Sequence, residues 1–176
     1  MPNSLQIKMS TLYEQNVLPA SQKMYRYALS ILKDEDSAHD VVQECLMKIW
    51  TKRSKLIEID NHEAWAMRIT RNQCFDWVKT NRFTILQQEQ VEEPDQVKAD
   101  HDTLMEDQKK WLDKVLETLP PKQQEIFHLR EIDGMTYQEI SDILSLSLSE
   151  VKVYLHRART KVRSSLQKIE AYGIAN

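Results

Sequence analysis

The residues best suited to chemistry in this 176-residue chain are basic side chains gathered near its C-terminal end. Lys152, His156, Arg159 and Arg163, with Ser149, Val153 and Thr160 among them, share one side of a helical wheel drawn at about 100° per residue. Residues 146–169 hold six Lys or Arg against one Glu, a local +5 in a chain whose net charge is −3. Such a patch attracts phosphates, and counterion release makes the binding salt-sensitive. The N-terminal members of the row suit base edges, and the later arginines suit phosphates. Arg157 points sideways on the wheel and is assigned to a phosphate. A basic, solvated helix in an ordinary bundle would carry the same charge.

A second group is Trp65, Arg68, Ile69, Asn72, Asp76 and Lys79, opposite a broad core side of Ala66, Met67, Thr70, Cys74, Trp77 and Val78. Tryptophan, arginine and asparagine together on a non-core face make a candidate binding surface, although a plain amphipathic helix has the same make-up. Hydrolytic and metal chemistry find little support. The five histidines form no HExxH pattern, and no Gly-x-Ser-x-Gly elbow or phosphate-cradling loop occurs in a chain with two glycines. Cys45 and Cys74 stand far apart without metal-ligand or CxxC spacing, so neither a disulfide framework nor a zinc site is expected. No cofactor, metal or catalytic residue is expected. The absence of a signal pattern or membrane span points to a cytoplasmic protein that does not insert into a membrane.

These groups need helices to position them. Residues 1–83 sum to +2, residues 84–108 to −7 and residues 109–176 to +2. The middle stretch is rich in Gln, Glu and Asp, contains Pro94 and shows little apolar periodicity. It reads as a solvated linker, or alternatively as a long exposed helix or a surface loop within one domain.

In the first module one helix runs through Met24, Tyr27, Ala28, Ile31 and Leu32. It ends near the acidic cluster Asp34, Glu35 and Asp36. A second runs through Ala38, Val41, Val42, Cys45, Leu46, Ile49 and Trp50, with Ser37 as its cap and Asp40 in a capping-box position. A third begins near Glu63.

In the second module Trp111, Leu112, Val115, Leu116 and Leu119 form a helix halted by Pro120, and Pro121 can open the next, which stops near Asp133-Gly134. Thr136–Glu139 and Ser147–Glu150 are successive capping boxes. The first opens a short helix carrying Ile140, Ile143 and Leu144. The second opens a long one with the core row Val151, Leu155, Ala158, Val162 and Leu166. A short helix, a tight break at Ser145-Leu146 and a longer basic helix make a helix-turn-helix, whose second helix enters the major groove.

These motifs resemble the sigma-70 family of bacterial RNA polymerase initiation factors, in particular its extracytoplasmic function (ECF) type. Asp36–Glu44 followed by Lys48-Ile49-Trp50 is similar to the family's polymerase-binding helix. Ala64-Trp65 with Arg68-Ile69, Arg71-Asn72 and Asp76 is similar to its promoter-melting helix. The stretch from Leu119-Pro120 through Thr136–Ile140 to Val151-Lys152 and Leu155–Arg159 is similar to its upstream-element reader. The resemblance implies an all-α chain of two small helical domains, a region 2-like bundle (1–83) and a region 4-like helix-turn-helix (109–176), joined by the acidic linker 84–108.

It also implies a non-catalytic function. The chain would bind core RNA polymerase at the clamp coiled coil and the flap, and read the upstream promoter element as duplex. It would capture the non-template strand of the downstream element with a base extruded into a pocket. An anti-sigma factor is a further implied partner. By position, Asp40, Gln43, Glu44, Leu46 and Met47 would contact polymerase. His62, Trp65, Arg68 and Asn72 would lie around the melted strand, with the loop from Ile59. Ser149, Lys152, Val153, His156 and Arg157 would face the upstream duplex.

The chain departs from the family pattern in several places. His39 stands where an acidic residue is usual, and Ser145 where a turn glycine is usual, so a turn without a left-handed residue is allowed for. Val153 can touch a thymine methyl but cannot hydrogen-bond a base edge. The same helix-turn-helix would also serve a polymerase-independent regulator that binds spaced half-sites as a dimer.

Overall fold

The computed structural model describes residues 4–88 and 111–171, which divide between two compact units. All regular structure among these residues is helical.

The first unit opens with a helix that the apolar spacing does not announce. Helix α1 (Ser4–Leu12) has no buried residue. It passes into a π-helical turn, Tyr13–Val17, and a 3-10 turn, Leu18–Ala20. Tyr13, Val17 and Ala20 from this arm join the core. Helix α2 (Ser21–Leu32) buries Met24, Tyr27 and Ala28, while Ile31 and Leu32 are half-buried. Lys33 ends it in left-handed backbone at φ 58°, its N–H bonded to Leu29 O at 3.0 Å.

Helix α3 (Glu35–Thr51) starts three residues earlier than the Ser37 cap predicts. Asp34 is the cap: its backbone is extended, and its carboxylate accepts from Ser37 N at 2.8 Å. The acidic cluster therefore belongs to the start of α3, not the end of α2. There the unpaired N–H groups and the helix dipole favour negative charge. Bonds from the Ser37 side chain and then its backbone N–H hold the Asp34 carboxyl below the usual carboxylate range.

A 3-10 turn, Arg53–Ile57, leads to Asn61, whose side-chain oxygen accepts from Ala64 N at 2.9 Å as α4 (His62–Gln88) begins. Helices α2, α3 and α4 pack pairwise. The core holds Ala38, Val41, Val42, Cys45 and Ile49 of α3 against Ala64, Ala66, Met67, Thr70 and Cys74 of α4. Thr70 is buried without penalty because its hydroxyl donates to Ala66 O at 3.0 Å. Trp77 and Val78 are half-buried.

Helix α4 continues through Gln88, so the segment expected as linker is helical over residues 84–88. Leu and Gln are good helix formers, and the first breaker after His62 is Pro94. Composition alone concealed this, because a polar helix and a polar tether share residue types. The rest of the expected linker, 89–108, lies outside the described residues.

In the second unit, residues 111–117 form α5, and Pro121 is the first residue of α6 (Pro121–Phe127), which runs on as a π-helical turn, His128–Ile132. Gly134, at φ 71°, lets Met135 N bond back to Leu129 O at 2.9 Å, the long closing bond of a helix C-terminus. Val115, Leu116, Leu119 and Phe127 pack with Ala158 and Val162, and Trp111 and Leu112 lie partly buried against them.

Helix α7 (Tyr137–Leu144) and helix α8 (Leu148–Ala171) follow. Val151, Leu155, Ala158 and Val162 of α8 are buried, as its periodicity predicts, but Leu166 is 44% exposed. At 24 residues α8 far outruns the seven-residue α6 that packs on it, and Leu166 lies beyond that contact.

The turn between α7 and α8 does use a left-handed residue. Ser145 sits at φ 54°, with Leu146 N on Ser141 O at 3.1 Å and the Ser141 hydroxyl on Leu146 O. A side chain in that region costs about 1–2 kcal/mol, and glycine escapes the cost. Ser145→Gly should therefore raise the stability of the helix-turn-helix by about 0.5–1 kcal/mol. Gly134→Ala should lower it by about 1 kcal/mol. No atom lies within 4 Å of an added Cβ at Gly134, so the loss is one of backbone alone. Urea titrations of the two variants should shift in opposite directions.

Candidate nucleic-acid interface

Three surfaces carry the residues singled out from sequence. On α3, Asp40, Gln43, Glu44 and Met47 are exposed, Met47 by 68%, and Leu46 is half-buried. Glu44 accepts from Gln73 Nε2 at 2.7 Å, and Lys48 Nζ donates to Gln73 Oε1, so this face is pinned to α4. Beside it lies a shallow groove of about 360 Å³ lined by Tyr13, Gln43, Leu46, Met47, Trp50 and Thr51. Tyr13 stands edge-on to Trp50, with ring centroids 5.0 Å apart, and its hydroxyl donates to Leu46 O at 3.3 Å. The Arg53 guanidinium lies 4.3 Å from the Trp50 ring centre. Periodicity within one helix could not find this shelf, because Tyr13 and Arg53 arrive from other elements. His39, the departure from an acidic residue, stacks on Tyr25 at 4.3 Å.

On α4, Arg68 and Asn72 are exposed, as the wheel predicts. Trp65 and Ile69 are half-buried, so they sit at the margin of the core and not wholly on the outer face. His62 is also half-buried, its Nε2 2.8 Å from Leu56 O. Phe75 joins this surface without being among the residues singled out from sequence. It is 44% exposed on the stripe of Arg68 and Asn72, and the Arg71 guanidinium lies 4.7 Å from its ring centre. Its i+3 spacing from Asn72 was the available signal.

On α8, Ser149, Lys152, Val153, His156 and Arg157 are all exposed, opposite the buried row. Both capping boxes close in both directions. Thr136 N bonds Glu139 Oε2 at 2.7 Å, and Glu139 N bonds Thr136 Oγ1 at 3.2 Å. Ser147 N bonds Glu150 Oε2 at 2.8 Å, and Glu150 N bonds Ser147 Oγ at 3.2 Å. The start of α8 is thereby fixed relative to the turn that precedes it.

Arg159 departs from the wheel's simple picture. Its Nε and Nη2 both donate to Glu131 Oε1, at 2.9 and 2.6 Å, which holds the guanidinium in its charged form. It is less available to phosphate than Arg157 or Arg163.

The Glu150 carboxyl is held below its usual range, first by the Ser147 hydroxyl and then by the Ser147 N–H. A depressed carboxyl stabilises the fold above its unfolded pKa, and that contribution fades as pH falls through the folded value. Thermal melts of the wild type should therefore lose stability on acidification below about pH 4.5. Glu150→Gln should remove part of that acid-dependent loss.

Cys45 is buried, and desolvation pushes its thiol up to about 11. It therefore stays protonated and unreactive at neutral pH. No group of three or more His, Cys, Asp or Glu suited to a metal occurs among the described residues. No helix among them is long and apolar enough to cross a membrane.

Comparison with known proteins gives two family matches in chain order: Sigma-70 region 2 over residues 18–84, and Sigma-70, region 4 over residues 109–162. The probable RNA polymerase sigma factor RfaY of Xanthomonas campestris pv. campestris is 28% identical over 146 residues, 79% of this chain and 36% of that protein. The ECF RNA polymerase sigma factor SigE of Mycolicibacterium smegmatis is 27% identical over 164 residues, 89% of this chain and 62% of that protein. This chain thus spans less than two-thirds of either relative. The RNA polymerase sigma factor SigV of Bacillus subtilis is 28% identical over 148 residues, covering 84% of this chain and 86% of that protein. Among solved structures, the sigma factor RpoE of Bartonella quintana, in complex with the anti-sigma factor NepR, superposes with a TM-score of 0.70 at 24% identity. That match covers 88% of this chain and 96% of that one. CnrH, solved with the cytosolic domain of CnrY, gives 0.58 at 23% identity. The likeness to both structures is one of fold.

Proposed function

We propose, from the premise that this chain belongs to the ECF group of the sigma-70 family, that it is a transcription initiation factor. It binds core RNA polymerase and directs it to specific promoters. The carrying observation is the pairing, in one chain, of a region 2 match with a region 4 match whose α8 turns Lys152, Val153, His156 and Arg157 away from its core.

In this reading the chain acts without catalysis, in the cytoplasm. Residues 1–83 and 109–176 are its working domains, joined through the acidic segment 84–108. Asp40, Gln43, Glu44, Leu46 and Met47 dock on the polymerase clamp, and the second domain docks on the flap. His62, Trp65, Arg68 and Asn72 hold the melted downstream strand, where stacking and edge contacts offset the cost of unstacking a base. Ser149, Lys152, Val153, His156 and Arg157 face the upstream duplex in the major groove, with Arg157 on a phosphate. An anti-sigma factor that covers the α3 shelf would compete with polymerase for it. The proteins solved with NepR and CnrY support such a partner.

The test is co-elution of the purified chain with bacterial core RNA polymerase, with transcript starts mapped on genomic fragments. Specific starts are expected. A chain that ignores polymerase and shifts duplex DNA as a dimer would instead be a conventional regulator. Asp40→Ala with Glu44→Ala should weaken polymerase binding on the order of tenfold. Its stability should stay within about 1 kcal/mol of the wild type, because both side chains are exposed. Normal holoenzyme formation by that variant would remove both residues from the docking face.

A further inference from the structure

We propose that Val153 selects a thymine in the upstream duplex through its C5-methyl group, an inference that rests on the reading of α8 as the recognition helix. Val153 stands almost diametrically opposite the buried row Val151, Leu155, Ala158 and Val162, and it is 48% exposed. It is therefore the outermost side chain of the first two turns of α8, the part of a recognition helix that meets base edges. A surface that meets this side of α8 meets Val153 near the middle of its contact.

The neighbours of Val153 rule out a general apolar patch. Ser149 and Arg157 lie one turn to either side, and Lys152 and His156 flank it, all exposed and polar. Among the described side chains of α8 the other exposed aliphatic residues, Leu148 and Leu166, lie roughly 140° away on the wheel. A protein-docking face is characteristically centred on a cluster of aromatic or apolar anchors, which this side of α8 lacks among its described side chains. A lone aliphatic tip ringed by donors and cations fits a surface that is polar and anionic except at one small apolar point. The floor of the major groove is such a surface, and its apolar point is the thymine methyl.

Valine also discriminates by what it lacks. With no donor or acceptor, it would displace water from a guanine, adenine or cytosine edge without replacing the lost hydrogen bond. Over thymine the same approach buries a methyl group. Burial of one methyl corresponds to about a fourfold difference in affinity.

The test uses the full chain assembled with bacterial core RNA polymerase and a duplex pool with a randomised upstream segment. From the enriched duplex, each thymine is replaced in turn by deoxyuridine, which removes the C5-methyl and leaves the hydrogen-bonding edge unchanged. The wild-type chain should bind about fourfold more weakly at one position. Val153→Ala, whose outward position leaves the fold intact, should bind the thymine and uracil duplexes alike at that position. Deoxyuridine that is silent at every position, or that weakens both chains equally, would overturn the assignment while leaving the initiation reading standing. A pool that fails to enrich would overturn both.

Discussion

With Lys152, Arg157 and Arg163 changed together to alanine, upstream-duplex affinity is expected to fall on the order of a hundredfold at physiological salt, and its salt dependence to flatten. Each phosphate neutralised contributes about 0.9 to the slope of log affinity against log salt, so loss of the two arginine–phosphate contacts should reduce it by roughly 1.8, while loss of Lys152 removes a base-edge contact. The loss is largest in dilute salt and shrinks as counterions replace the missing side chains. All three residues are exposed on α8, so the change should not unfold the unit. Arg159→Ala is the informative companion. Its guanidinium is held by Glu131, so its removal should move the slope less than removal of Arg157. Fluorescence anisotropy of a labelled duplex bound by the chain–polymerase assembly, at stepped salt, measures both. An unchanged slope in the triple variant would mean that the basic face is only solvated.

Phe127→Ala should cost about 3–5 kcal/mol, comparable to the whole stability of a unit this small. Phe127 packs with Val115, Leu116 and Leu119 from the α5 side and with Ala158 and Val162 of α8. It joins three stretches of chain, so its removal leaves a cavity between them. Hydrogen exchange should show lost protection across residues 111–171, while α2, α3 and α4 keep theirs. Leu166→Ala, at an exposed site on the same helix, should stay within about 0.5 kcal/mol. Equal protection in wild type and Phe127→Ala would place the core of this unit elsewhere.

These two expectations differ in how much of their basis a sequence can display. The basic face of α8 was legible because charge and helical period both lie along one continuous segment. The paired capping boxes were legible for the same reason, since each closes within four residues. The core rows of α2, α3 and α4 followed from apolar spacing. What escaped came from elsewhere in the chain. Tyr13 reaches Trp50 and Leu46 across a gap that no periodicity records. Glu131 neutralises Arg159 from a different helix.

The Ser37 cap failed for a subtler reason. Two capping residues competed for one helix start, and Asp34 won with a carboxylate placed where the orphan N–H groups point. The exposure of Leu166 depends on the length of a neighbouring helix, which the pattern within α8 cannot reveal. Ser145 shows the converse: a left-handed turn was formed without the residue that usually advertises one.

The arm before α2 has a practical consequence for anyone who trims this chain. The recognised family segment begins at residue 18, yet Val17 is fully buried and Tyr13 is nearly so. Cutting at the family boundary would strip a side of the core and leave one edge of Trp50 and the Leu46 carbonyl without the Tyr13 ring and hydroxyl that meet them. The segment that kinship identifies and the segment that folds therefore have different first residues. A fragment that begins at the family boundary would keep every residue of the α3 face and lose one wall of the groove beside it.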